Sequence, residues 1–220
     1  MKNFKYIFFA SALIFFTNCN DPEDVDLDPI IAEVLPDLTA GSADFSNYVA
    51  LGNSLTAGFT DGALFQASQQ NSLPNILSQK FALVGGGSFT QPLTNDNFGG
   101  LALNGTRIQG PRLVFGGATP VPLESIIGPV TVTTDIVTNN PTGPFNNLGV
   151  PGAKSFHLLA PGYGNAANLP NAANPYAVRI TGNSNASIME LAVAQNTSFF
   201  SLWIGNNDVL GYALSGGESN

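Results

Sequence analysis

Among its 220 residues the chain has one cysteine, one histidine and one tryptophan. A single cysteine cannot close an internal disulfide, so the fold does not depend on one. With so few histidines and cysteines there is no cluster at metal-ligand spacing, and no metal or cofactor is implied. Charge is also scarce: 10% of residues are charged and only seven are Lys or Arg. No basic cluster exists to grip phosphate, which argues against a nucleic-acid partner. The glycine pairs at 99–100 and 116–117 do not open a helix in Gly-x-Gly-x-x-Gly or Walker spacing, so they form no phosphate cradle. The apolar run from Tyr6 to Phe16 is too short for a comfortable membrane span. No internal repeat is evident.

What is present is a core-forming chain rich in turn residues. Hydrophobic residues make up 44%, with 24 Gly and 15 Pro. Lys2 and Lys5 precede the apolar run, and Cys19 follows it. That layout predicts a signal peptide over 1–18 and a lipid-anchored Cys19, although Phe16 and Asn18 depart from the usual lipobox residues. An ordinary cleaved signal with an incidental cysteine is the alternative. Eight of the fifteen acids then fall between residues 19 and 44: Asp21, Glu23, Asp24, Asp26, Asp28, Glu33, Asp37 and Asp44. From Phe45 onward seven acids face five bases. The acidity therefore belongs to a solvated tether over 19–44 and not to the body that follows. The predicted location is the cell envelope: an outer-membrane lipoprotein, facing the periplasm or the surface, held to the membrane through Cys19.

The body is read over 45–220. A strand is expected over Asn47–Leu51, and a helix over Ser72–Leu83 with Pro74 in its first turn. The stretch of about 85–145 has no helical period and many Gly and Pro, which marks an insertion beside the active-site face. Short strands are expected within it at Leu113–Phe115 and Val130–Val137. A short helix over Lys154–Leu159 and a strand over Tyr176–Ile180 follow. Ser187-Ile188-Met189-Glu190 is a capping box opening a helix to about Gln195. The apolar run Thr197–Ile204 reads as a buried strand with Trp203 in the core. This β-then-α rhythm predicts an α/β fold with a central parallel sheet.

Three blocks carry the chemistry. The first strand ends in Gly52-Asn53-Ser54-Leu55, which puts a hydroxyl at the carboxyl end of a sheet, where open α/β sheets place their sites. Thr56 stands where the Gly-x-Ser-x-Gly elbow needs glycine, so this is not that motif. The second block is Asn147-Leu148-Gly149-Val150-Pro151-Gly152, and the third is Gly205-Asn206-Asn207-Asp208. In isolation each is an ordinary turn. In this order, each at a predicted strand end, they resemble the GDSL, or SGNH, hydrolase family over about residues 45–214.

That resemblance implies a flavodoxin-like three-layer sandwich, incomplete here at its carboxyl end. It also implies a serine ester hydrolase (esterase or lipase) acting through a Ser54 acyl-enzyme. By the same resemblance Ser54 is the nucleophile, while Gly149 and the Asn207 amide join the Ser54 N–H in an oxyanion hole. Gly52, Asn53, Gly205 and Asp208 support the turns. The partner is an ester substrate, either lipid or acylated carbohydrate. No oligomeric state follows.

Two departures stand out. Asn53 replaces the family's usual aspartate, keeping one acceptor. The family's Asp-x-x-His block is absent from the sequence. His157, the only histidine, is either a rim histidine near the cleft or, less favoured, the base. The expectation is therefore an amino-terminal part whose base lies beyond residue 220 and which is inactive by itself. The competing reading is a surface-exposed binding lipoprotein that keeps the fold without catalysis.

Overall fold

The computed structural model describes residues 37–218, so the signal peptide, Cys19 and residues 19–36 of the acidic tether lie outside the described residues. From Leu38 the described chain belongs to one compact unit. No helix of the described residues is long and apolar enough to cross a membrane.

Three parallel strands form the main sheet. The central one, β1 (Tyr48–Gly52), lies between β6 (Asn147–Gly149) and β7 (Phe199–Trp203). Every residue of β1 is buried. Successive side chains in a strand point to opposite faces, so β1 is covered on both. Gly52 aligns with Gly149 on one side and Trp203 on the other. The core gathers Val49, Leu51, Leu148, Val150, Val178 and Ile188 around this sheet. At its amino end an aromatic cluster closes the layer: Phe45 stacks on Phe81 at 4.1 Å, and Tyr48 meets Phe81 edge-on at 5.0 Å.

Helices follow the strands. A single turn, α1 (Ser54–Ala57), leaves β1 directly and ends at Gly58 in the left-handed region. Next come α2 (Gln66–Gln70) and α3 (Leu73–Ala82), the latter with Pro74 in its first turn as its sequence demands. Between α3 and β6 lie two antiparallel hairpins, β2 (Leu101–Leu103) with β3 (Thr106–Gln109) and β4 (Leu113–Phe115) with β5 (Pro120–Pro122), followed by the short helix α4 (Glu124–Ile127). A bidentate pair from Arg107 to Glu124, at 2.9 and 2.8 Å, joins the first hairpin to α4.

Several expectations are corrected. Tyr176–Ile180 is not a strand but the core of α5 (Pro175–Thr181). Asn174 caps it by accepting the Tyr176 N–H at 2.9 Å, Pro175 starts it, and Gly182 stops it at φ +63°. Tyr176 to Thr181 are all buried, so the helix shows no polar face and its period is hidden. Val130–Val137 forms no ladder. Its only β contact among the described residues is a single bridge, Asp135 to Ala102. Residues 155–159 form a 3₁₀ turn (Ser155–Leu159) and not an α-helix.

The capping box at Ser187 does open α6 (Ile188–Val193): Ser187 Oγ accepts the Glu190 N–H, and Glu190 Oε2 accepts the Ser187 N–H at 2.7 Å. A last helix, α7 (Asn206–Leu214), follows β7. Trp203 is not core. It is 44% exposed on β7, which pairs with β1 alone among the described residues and also exposes Phe200 and Leu202. The architecture is thus mixed α/β, with a three-stranded parallel sheet and two antiparallel hairpins.

Asp135 holds the insertion together. Burial pushes its carboxyl pKa up, but N–H donors from Gly105, Thr138 and Val137 outweigh that and bring it from 3.8 down to about 2. A depressed folded pKa contributes stability above the unfolded value, and that contribution is lost as pH falls from 3.8 through about 2. Asp135→Asn should therefore lower the melting temperature at pH 7, and the gap to the parent should close between about pH 4 and pH 2. Melts across that range check this; a gap independent of pH would contradict it.

Candidate active site

Ser54 follows the central strand at the first position of α1 and is partly exposed. Neither its N–H nor its Oγ meets a partner among the described residues. The turn beneath it is tightly built. A Cβ on Gly52 would collide with the Thr56 side chain and the Trp203 carbonyl. Asn53 is fully buried, and its Oδ1 accepts the Leu55 N–H at 3.1 Å. Its own N–H donates to the Trp203 carbonyl at 3.2 Å, and its Nδ2 donates to Asn206 Oδ1. One neutral amide thus caps the Ser54 turn and ties it to the loop after β7.

The second block departs from expectation. The Gly149 N–H donates to Asn147 Oδ1 at 3.0 Å, so it is not free for a substrate. A Cβ on Gly149 would lie 2.8 Å from Ala57 Cα and Thr56 C. Gly149 is glycine because α1 sits directly on β6. Asn147, also buried, strengthens that seat by donating to the Thr56 carbonyl at 3.1 Å.

The open donor is three residues on. Val150-Pro151-Gly152-Ala153 is a turn closed by Ala153 N–H to Val150 O at 3.0 Å, with Gly152 at φ +80°. Proline then glycine at its two centres is the type II signature, where only glycine fits well. Gly152 is exposed, and its N–H meets no acceptor among the described residues. The Pro-Gly pair was the signal in the sequence that could have found it.

The third block clamps this turn. Gly205, at φ +100°, caps α7 from the left-handed region. Asn207, in the first turn of α7, donates Nδ2 to the Ala153 carbonyl at 2.8 Å. An amide has two hydrogens on that nitrogen, and the other meets no acceptor among the described residues. Asp208 accepts from the Ser155 N–H at 2.9 Å and its Oγ at 2.7 Å. Those bonds, the hydroxyl's first, hold its carboxyl below the usual aspartate range. Ser54, the Gly152 turn and Asn207 therefore occupy the same, carboxyl end of three parallel strands, linked through Asn53–Asn206, Asn207–Ala153 and Asp208–Ser155.

His157 plays a different part. Its ring stacks on Tyr163 at 4.4 Å and 8°, and its Nδ1 accepts the Lys154 N–H at 3.0 Å. Burial holds its pKa below the ordinary histidine value; Lys154 adds to this and Asp208 opposes it. A neutral ring accepting at Nδ1 carries its proton on Nε2, so its one available lone pair is already engaged by the Lys154 N–H.

Gly149→Ala separates packing from chemistry. Overpacking against α1 should cost roughly 1–3 kcal/mol, a drop of roughly 3–10 °C in a protein of this size. A melting curve checks this, and an unchanged midpoint would show that α1 shifts freely on β6. Comparison of the chain with protein-family models, with curated proteins and with solved structures finds no match.

Proposed function

We propose that this chain carries the nucleophile and oxyanion site of a serine ester hydrolase of the GDSL/SGNH type, with the family's flavodoxin-like sandwich as its parent fold. The observation that carries the reading is the Asn207 amide, fixed on the very turn that presents the Gly152 N–H, which meets no acceptor among the described residues, beside the strand that leads to Ser54. The strand order β6-β1-β7, with the serine in the turn that leaves the central strand, suits the same reading.

In this mechanism Ser54 Oγ attacks the ester carbonyl carbon. Negative charge gathers on the carbonyl oxygen and is met by the N–H groups of Ser54 and Gly152 and by Asn207 Nδ2. Gly152 takes the role first expected of Gly149, whose N–H is occupied. The hydroxyl proton passes to a base, the ester C–O bond breaks, and the alcohol leaves with that proton. Water then attacks the acyl-enzyme, releasing the acid and restoring Ser54. The His157 lone pair is engaged by the Lys154 N–H, so the reading assigns the base to an Asp-x-x-His block beyond residue 220. Among the described residues β7 pairs with β1 alone and exposes Phe200, Leu202 and Trp203, an arrangement to which a further strand could be added.

The engaged state of His157 also favours the second reading, a binding lipoprotein without catalysis, should no such block exist. In both readings lipid on Cys19 holds the protein to the outer membrane, and Cys19→Ala should move it to the soluble fraction on membrane fractionation.

The test is labelling by a fluorophosphonate, followed by ester turnover, in the protein with its native carboxyl continuation. Label should reach Ser54 and vanish in Ser54→Ala. Asn207→Ala should lower turnover by about 10²–10³-fold, the usual cost of one oxyanion donor. His157→Ala should keep the rate within about tenfold, far short of the loss expected for a general base. Residues 19–220 alone should hydrolyse an activated ester barely above background. Robust activity of 19–220 that disappears with His157→Ala would overturn the assignment of the base.

A further inference from the structure

The insertion does not hang free of the site. A cavity of about 410 Å³ opens beside Gly152, in the size range of small-molecule sites. Its wall combines Pro151 and Gly152 with Phe59, Tyr176, Gln109 and Gly110. Gln109 and Gly110 come from the end of β3, within the insertion. Their position is locked: the Tyr176 hydroxyl donates to Gln109 Oε1 at 2.6 Å, and the Tyr176 ring meets Phe59 edge-on at 6.1 Å. With its oxygen engaged, the Gln109 amide keeps its NH₂, which meets no acceptor among the described residues.

The chemistry of this wall is selective. Among the described residues it holds no carboxylate, ammonium or guanidinium to pair with a charged ligand. It also has few aliphatic groups: three peptide units at glycines (62, 110 and 152), one primary amide and two aromatic rings make up most of it. A long acyl chain laid there would strip water from those polar groups without replacing their hydrogen bonds. A neutral ligand bearing hydroxyls would satisfy them while resting an apolar face on Phe59.

We propose that this cleft is a subsite for a carbohydrate, and that Gln109, supplied by the insertion, is its specificity-determining residue. The ester linkage of that carbohydrate rests on the hydrolase reading above; the carbohydrate preference rests on the cleft alone. The insertion would then set which alcohol is presented to Ser54, while the three strand-end loops perform the acyl transfer.

The experiment measures binding without turnover, using Ser54→Ala in the full chain. Calorimetry and saturation-transfer NMR follow titration with an O-acetylated methyl glucopyranoside, and separately with octanoate. The glycoside should bind, octanoate should not displace it, and Gln109→Ala should weaken the glycoside about tenfold, the loss of roughly one hydrogen bond. Gln109→Asn, which shortens the reach by one methylene, should weaken it too and covers the case in which the alanine variant melts early. Tyr176→Phe, which releases the Gln109 oxygen, should weaken it by a smaller factor. Octanoate binding in the cleft, or a glycoside affinity unmoved by either Gln109 variant, overturns the proposal. Fluorophosphonate labelling of Ser54 without glycoside binding would end this proposal and leave the hydrolase reading standing. Glycoside binding without labelling would do the reverse.

Discussion

The position of β1 at the centre of the parallel sheet is the constraint on which the site depends. A parallel strand buried on both faces must have neighbours running the same way, so three connections emerge at one end. The strand in the middle delivers Ser54, and its two neighbours deliver the Gly152 turn and the Asn206–Asp208 turn. Close approach is bought with missing side chains. Gly52 lets α1 and β7 press on the strand end, and Gly149 lets α1 sit on β6. Neither glycine is there to face a ligand.

Neutral amides do most of the fastening. Asn53, Asn147, Asn206 and Asn207 each bridge two elements, and Asp208 is the only acid among these clamps. A buried amide can donate and accept at once, so Asn53 caps Leu55 and holds Asn206 with a single side chain. A carboxylate in the same fully buried place would offer acceptors only and would cost much more to desolvate. The scarcity of charge in the sequence is the same choice seen in composition: this body is held by hydrogen bonds between neutral groups and by packing. The one ion pair among the described residues, Arg107 with Glu124, lies between the first hairpin and α4, where exposed pairs contribute little.

Much of this was legible in the sequence, for physical reasons that differ by element. The strand ending at Gly52, the Pro74 helix and the Ser187–Glu190 capping box carry local signals that tertiary context did not override. The third block was legible as a strand-end turn, and Asn207 and Ser54 lie at one end of the sheet. The segment Tyr176–Ile180 misled because a helix buried all round has no polar face to reveal its period; its cap, its proline and its stop glycine were the better guides. Gly149 misled for another reason. A glycine in a turn-like block says that space is tight, not which group fills it, and here a neighbouring helix does. Trp203 misled because an apolar strand predicts burial only if both its faces are covered, and β7 has one partner among the described residues.

The division of labour within the site follows from these observations. Stabilising an oxyanion needs donors that are fixed before the reaction begins, and every proposed donor here is fixed by a bond made to something other than substrate. Asn207 spends one hydrogen on Ala153 and so holds the other in place; Gly152 is set by a turn whose geometry glycine alone tolerates; Ser54 is set by the cap on Asn53. Proton transfer has the opposite requirement, a lone pair that is free when the serine attacks. His157 has been used up by the fold: its Nδ1 closes the Lys154 turn and its ring is stacked on Tyr163. On the proposed reading, the described residues supply the electrostatic half of an acyl-transfer site and commit their only histidine to holding the neighbouring turn in shape.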